Sequence, residues 1–251
     1  MWGFSCPLIG PDLPGLAEFA AEHLRSVDDW DICMIAGLPL DEDLARAMAQ
    51  PLAVLGQVQA VYGIVRQVAD VSTGHDEWFA GRSAKFRKSL RQAEKRAQIN
   101  GVSFVDVSAD PAAYQRCVEI EGTSWKGMTD DGITSPGMHR FYELMTARLQ
   151  TQGRFRATVA VVDGEDVGFI FGGVRNQRYR GLQLSFAESA RPLSISHLLQ
   201  HHTLQAVVAE GVETYDMGMD MDYKQRWATH EDPSMSLIIH RSRPKRQRRF
   251  G

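Results

Sequence analysis

Cysteine is scarce in this 251-residue chain. Cys6, Cys33 and Cys117 are odd in number and nowhere spaced C-x-x-C, which argues against a disulfide framework and a thiolate metal site and fits a reducing, cytoplasmic setting. No stretch approaches the ~18 consecutive apolar residues that a membrane span needs. Residues 1–20 lack a basic start and an unbroken apolar run, being interrupted by Pro7, Gly10, Pro11, Asp12, Pro14 and Gly15, so an unexported, soluble protein is expected. An excess of one charge is also missing: 28 Lys and Arg against 31 Asp and Glu leave −3, too little for wholesale attraction to nucleic acid or to an anionic membrane. There is no internal repeat and no compositional bias towards collagen, coiled coil or long disorder.

What is present is an ordinary enzyme-sized composition, 43% hydrophobic and 24% charged, with enough chain to bury a core. The charge is unevenly placed. Residues 1–50 hold nine acids against Arg25 and Arg46, whereas 82–96 hold Arg82, Lys85, Arg87, Lys88, Arg91, Lys95 and Arg96 against Glu94 alone. A second basic zone occupies 241–251, which reads as a disordered tail.

Hydrophobic periodicity predicts the elements. A short helix is expected at 16–24, a strand at 31–35, a helix from 40 to about 48, and paired strands across 58–71 with Gly63 as turn or bulge. Residues 83–98 are helical, with Phe86, Leu90, Ala93 and Ala97 on one face. A strand at 102–107 precedes a helix from Asp110-Pro111 to about Gly122, a loop at 127–137, and a helix at 136–150 whose inner stripe is read as Phe141, Leu144, Met145 and Leu149. Period two then takes over. Residues 154–162 alternate Phe155, Ala157, Val159 and Val161 on one face, turn at Asp163-Gly164, and return at 167–174; a third strand follows at 179–187. A helix at 194–210 ends at Gly211, and a strand at 214–219, a helix at 223–228 and a strand at 235–240 complete the pass. The expected division is an α/β half-domain at 1–80, a main domain at 81–240 and the basic tail at 241–251.

Several strings, in this order, resemble a known family: SAKFRKSLR at 83–91, Ser124-Trp125-Lys126, Phe141-Tyr142, VVDGEDVGF at 161–169, and Tyr215-Asp216-Met217-Gly218 followed by Tyr223-Lys224 and Trp227. With the element order they resemble the GNAT acyltransferases, in the branch of cellulose-biosynthesis-type acetyltransferases related to the FemAB aminoacyltransferases. The resemblance implies an α/β (α+β) fold with a mixed, mostly antiparallel twisted sheet flanked by helices, preceded by a reduced N-terminal half-domain. It also implies that the strands at 179–187 and 214–219 part, so that an acyl thioester lies between them against Leu184, Ser185 and Phe186. The pyrophosphate of an acyl-CoA co-substrate would then meet the N-terminus of the 194–210 helix. Where the family's phosphate loop carries two glycines this chain reads Arg191-Pro192-Leu193-Ser194-Ile195-Ser196, with serines in their place, which keeps an aminoacyl-tRNA donor open as an alternative.

The chemistry expected is acyl transfer from acyl-CoA, with no permanently bound cofactor, to an amine acceptor. By the same resemblance Tyr223 protonates the departing thiolate. Glu188 and Glu121 are the candidate general bases. Trp125 and Lys126 shape the acceptor pocket; Asp216 and Asp220, beside Lys224, would draw in a cationic amine. Arg87 and Arg91 in the basic helix are candidate contacts to phosphates of a ligand or tRNA. His197 and His201 share a helix face, but two histidines without a matching carboxylate do not make a metal site. His202 is read as a buried core histidine. A catalytically silent GNAT scaffold is the remaining alternative.

Overall fold

A computed structural model describes residues 6–129 and 132–242. In chain order the elements are α1 (Leu13–Ser26), β1 (Ile32–Pro39), α2 (Glu42–Leu52), β2 (Gly56–Asp70), α3 (His75–Ala80), α4 (Ala84–Ile99), β3 (Ser103–Asp106), α5 (Ala113–Gly122), α6 (Trp125–Met128) and α7 (Pro136–Thr151). They continue with β4 (Phe155–Val162), β5 (Glu165–Arg175), β6 (Arg178–Phe186), α8 (Ile195–Ala209), β7 (Thr214–Met219), α9 (Asp222–Gln225) and β8 (His230–Arg241). Contacts divide the chain into two units, residues 1–66 with 231–251 and residues 67–230. This division differs from the sequence boundary at 80/81, because β8 returns to pair with β1 and so joins the first unit. Of the basic tail, only Arg241 and Ser242 lie within the described residues.

In the first unit, β1 runs antiparallel to β8, from Ile32 opposite His240 to Pro39 opposite Ser234. Its core gathers Ala17 and Ala21 of α1, Ala45, Met48 and Leu52 of α2, and Leu237 and Ile239 of β8. Both helices start on an aspartate: Asp12 accepts from the Gly15 N–H at 3.0 Å and Asp41 from the Leu44 N–H at 2.9 Å, satisfying donors that a helix start leaves unpaired. The expected turn at Gly63 is not there; β2 is one unbroken strand. Gly63 instead permits close approach, since a Cβ at that position would stand 2.6 Å from Ser234 Oγ.

In the second unit the strand order is the last residues of β2 (67–70), then β7-β6-β5-β4-β3. β4, β5 and β6 form an antiparallel meander. Its turns fall at Asp163 (φ 51°) with Gly164 (φ 82°) and at Asn176 (φ 47°) with Gln177 (φ 58°), the left-handed pairs that match strand twist. Alternation along β5 sorts its side chains: Phe169 and Phe171 join Phe155, Ala157, Tyr142 and Ile120 on the face covered by α5 and α7. Ile170 joins Ile195 and Leu199 of α8 on the other. Gly168 lets α8 sit close, as a Cβ there would meet Ile195 Cγ2 at 2.5 Å.

Four sequence readings need correction here. Phe141 and Leu144 are both 41% exposed, and the inward positions of α7 are Tyr142 and Thr146; the phase follows Tyr142, which packs its ring 5.7 Å from Phe171. His201, not His202, is the buried histidine of α8, while His202 is half-buried and stacks on Phe104 at 4.9 Å. The helix at 75–80 went unread because six residues are too few to show a period. The last strand begins at His230, five residues before its apolar stretch.

Candidate active site

The site lies beside an irregularity in β6. Its register against β5 runs Phe171 opposite Gln183 and then Gly172 opposite Gly181, so Leu182 is an extra residue and the strand bulges there. A bulge bends the strand that carries it. On its other edge β6 pairs in parallel with β7 at three positions, Arg178 with Thr214, Tyr179 with Tyr215 and Arg180 with Asp216, and the ladder ends at that point. Beyond it a pocket of about 150 Å³ opens between the two strands, lined by Gly181, Leu182, Gln183 and Leu184 from β6, Tyr215 and Met217 from β7, and Lys126, Gln200, Tyr223 and Lys224 from neighbouring elements.

Several polar groups at the pocket are held from behind. The Lys126 ammonium, carried on α6, donates to the Leu184 carbonyl at 2.9 Å and towards Gln183 Oε1 at 3.4 Å. Ser124 caps that short helix by accepting from the Lys126 and Gly127 N–H groups. The Gln183 amide donates to the Tyr142 hydroxyl at 2.8 Å. The Lys224 ammonium donates to the Met219 carbonyl at 3.0 Å and stands over the Tyr223 ring. Burial, with Arg180 adding to it, lowers the Lys224 pKa to about 8, against the opposing pull of Asp216 and Asp220. Burial raises that of Tyr223, so its hydroxyl keeps its proton at neutral pH.

Of the residues singled out in the sequence, Lys126, Leu184, Tyr223 and Lys224 meet at this pocket. Ser185 is buried in β6 and Phe186 packs towards α8. Asp216 lines no open surface: it is buried beneath Arg180 and Arg178 and accepts from the Gly218 N–H at 2.8 Å. Asp220 accepts from Gln67 at 2.8 Å. Glu121 is fully buried and accepts from the Ile133 N–H at 2.6 Å; burial raises its pKa. Gly132, at φ 84°, makes room for that carboxylate, because a Cβ would stand 2.3 Å from Glu121 Oε1. Glu188 is paired with Arg191 at 2.5 Å on the surface, which lowers its pKa. Trp125 is 49% exposed.

The helix-end residues behave differently from the rest. Ser194 caps α8 in the left-handed conformation (φ 59°, ψ 34°), with no side-chain capping bond, and its hydroxyl accepts from Arg96 at 3.2 Å. Ile195 is buried against β5 and Ser196 is half-buried in the first turn. A separate cavity, lined by Ser83, Lys85, Ser89, Ser194, His197 and Arg226, lies beside this helix start. Arg87 is spent on the Ala80 and Arg82 carbonyls, and Arg91 lies 5.5 Å over the Phe79 ring. His201 bonds His75 and Glu94, each at 2.9 Å; among the described residues no group of three or more His, Cys, Asp or Glu is placed to hold a metal. No helix among them is long and apolar enough to cross a membrane.

Residues 84–225 match the acetyltransferase (GNAT) domain family. No curated protein sequence matches the chain. Among solved structures, the C-terminal domain of a putative lysylphosphatidylglycerol synthetase from Agrobacterium fabrum shares the fold at a TM-score of 0.64 and 14% identity, over 90% of this chain and 72% of that one. FemX shares it at 0.60 and 12%, over 92% and 78%. A tandem GNAT protein from the clavulanic acid biosynthesis pathway does so at 0.56 and 14%, over 92% and 70%. With a mixed, mostly antiparallel sheet, helices on both of its faces and a domain match over more than half of its length, this chain belongs to the acetyltransferase (GNAT) family.

Proposed function

We propose that the protein transfers an acyl group, most simply acetyl, from acyl-CoA to a primary amine at the gap between β6 and β7. The observation that carries this reading is the end of the β6–β7 ladder after Arg180 and Asp216, with a pocket beyond it. Main-chain groups of an unpaired strand edge are ready hydrogen-bond partners for an extended ligand and for a developing oxyanion. In the reaction the amine nitrogen bonds to the acyl carbon, the carbon–sulfur bond breaks, the amine gives up a proton and the thiolate receives one. Tyr223 suits the second transfer, being in the pocket lining and kept protonated by burial. For the first, Glu121 suits better than Glu188, because burial raises the proton affinity of Glu121 while Arg191 lowers that of Glu188. Its reach to the amine would run through water. The first turn of α8, at Ser194 and Ser196, would take the donor's pyrophosphate on main-chain N–H groups.

Incubation of the protein with acetyl-CoA and a panel of amines, read by mass spectrometry, tests the reading. The expected result is an amide product, with turnover about 10²-fold lower in Tyr223→Phe; absence of product with every amine and every acyl-CoA would overturn the CoA assignment. A second reading, an aminoacyl-tRNA donor, is favoured by one feature: Lys85, Lys88, Arg91, Lys95 and Arg96 are all exposed on α4. RNA that copurifies, with affinity falling steeply as salt rises, would select it.

A further inference from the structure

We infer that the cavity where α4 and α8 begin holds a nucleotide phosphate of the donor, with Lys85 and Arg226 as its cations and with the nucleoside against Phe86, Leu90 and Ala93. The inference deepens the proposed reaction and rests on it for the word donor; the phosphate recognition stands on the cavity alone.

The cavity has a volume of about 320 Å³, against about 150 Å³ for the pocket between β6 and β7, and so falls within the roughly 300–1,000 Å³ of small-molecule sites. Its lining is of two kinds. Phe86, Leu90 and Ala93, buried on the inward stripe of α4, give an apolar floor, and Trp227 holds the Phe86 ring edge-on at 5.0 Å. Above that floor the lining is polar: Ser89 and Ser194, the imidazole of His197, and two cations from different elements, Lys85 on α4 and Arg226 just after α9. The lining includes no carboxylate. Neither Lys85 nor Arg226 is in an ion pair among the described residues.

The positive charge has several sources. α4, of 16 residues, starts after Ser83 and α8, of 15, after Ser194; both serines line the cavity, so the unpaired N–H groups of two first turns add to the side-chain charge. The Arg226 charge reaches His197: it lowers the pKa of that imidazole further, after burial has done most of the lowering, and His197 is neutral at pH 7. The Ser194 hydroxyl accepts from Arg96 at 3.2 Å, which leaves its own O–H to donate. A phosphate, with oxygens directed to several sides, can take donors from all these walls at once. Both cations lie outside residues 191–196, whose own Arg191 is paired with Glu188, so α4 and Arg226 bring charge that this loop has committed elsewhere. The cavity also adjoins the β6–β7 pocket, since the ring of His197, which lines the one, meets the ring of Tyr223, which lines the other, edge-to-face at 6.4 Å.

Calorimetric titration of the full-length protein with adenosine 3′,5′-bisphosphate and with adenosine tests this. The bisphosphate is expected to bind at least about tenfold more tightly than adenosine. Lys85→Gln and Arg226→Gln, with folding checked by circular dichroism, are each expected to weaken the bisphosphate about tenfold, the loss of one charge-assisted bond. Lys88→Gln, on the same helix but outside the lining, is expected to change it by less than about twofold. Equal binding of the two probes, or losses in Lys85→Gln and Arg226→Gln no larger than in Lys88→Gln, would overturn the inference. Competition identifies the source of the phosphate and tests the reaction separately. Displacement of the bisphosphate by acetyl-CoA supports both claims. Displacement by a tRNA transcript and not by acetyl-CoA supports the phosphate site and contradicts the CoA donor, and displacement by neither overturns the assignment of the cavity to the donor.

Discussion

Lys224 carries a charge that the fold holds at a cost. Its pKa is about 8 in the folded protein against an ordinary 10.5, so between those values the unfolded chain binds more protons and stability rises with pH. Below pH 8 the full cost is present. Lys224→Met is therefore expected to stabilise the protein at pH 7 by roughly 1–3 kcal/mol, less than ~1.4 kcal/mol per pKa unit would give because the ammonium keeps some water. The gain should fade as the pH approaches 10.5, which thermal denaturation of both proteins across pH 6–10.5 would check; a gain independent of pH would mean that packing, not charge, is responsible. Glu121 presents the opposite case of a buried group tied down locally. Gly132→Ala forces a Cβ against its carboxylate at a positive φ and should cost at least ~2 kcal/mol, measurable by urea unfolding. Sequence reasoning reached Tyr223, Lys126 and Lys224, but it missed Gln183 and Tyr142, whose mutual hydrogen bond has no sequence signal. It also offered Asp216 to a cationic amine, because a short acidic turn looks the same whether or not two arginines from the adjacent strand lie over it.

Helices and strands were legible where their period runs long. The four apolar residues predicted for α4 are all buried, the Asp163-Gly164 turn has the left-handed geometry that the dipeptide announces, and β7 has the bounds that were read. The misreadings share a cause. Gly63 is read from its own habit, and Phe141 and His202 from apolar stripes taken without their partners, whereas their places are set by a neighbouring strand, by an aromatic cluster and by the phase of a helix buried on several sides. Ser194 is the element-scale tension that remains. A serine in the left-handed region costs roughly 1 kcal/mol more than glycine, and a side-chain hydrogen bond from Arg96 partly offsets it. Ser194→Gly is thus expected to raise stability by about 0.5–1 kcal/mol in thermal or chemical denaturation. A loss of stability instead would show that the Arg96 contact and the hydroxyl's local bonding outweigh the backbone strain.

At the scale of the whole chain, family membership and mixed α/β architecture could be read from the order of elements, because the β-α-α-β-β-β-α-β succession needs no knowledge of any one side chain. The division into units could not be read that way: the strand that closes the first unit comes last in sequence, and pairing over some two hundred residues leaves no local trace. Nor could the bulge at Leu182, which depends on register against β5. Yet that single extra residue accompanies the end of the β6–β7 ladder and the opening between the strands, and the proposed chemistry has its place only there.

Gly181 offers direct access to this point. It lines the opening, and a Cβ at its position would meet its nearest neighbours, the Asp216 carbonyl and the Tyr179 ring, at ordinary distances of 3.5 and 3.8 Å, so a larger side chain fills the gap without disturbing the strand. The decisive measurement is the rate of amide formation from acetyl-CoA by the protein and by Gly181→Val, at matched thermal stability. The account predicts product from the former and a rate reduced at least about tenfold in the latter, of the size that obstructing a bound reactant produces; equal rates in the two proteins would place the chemistry elsewhere on the molecule.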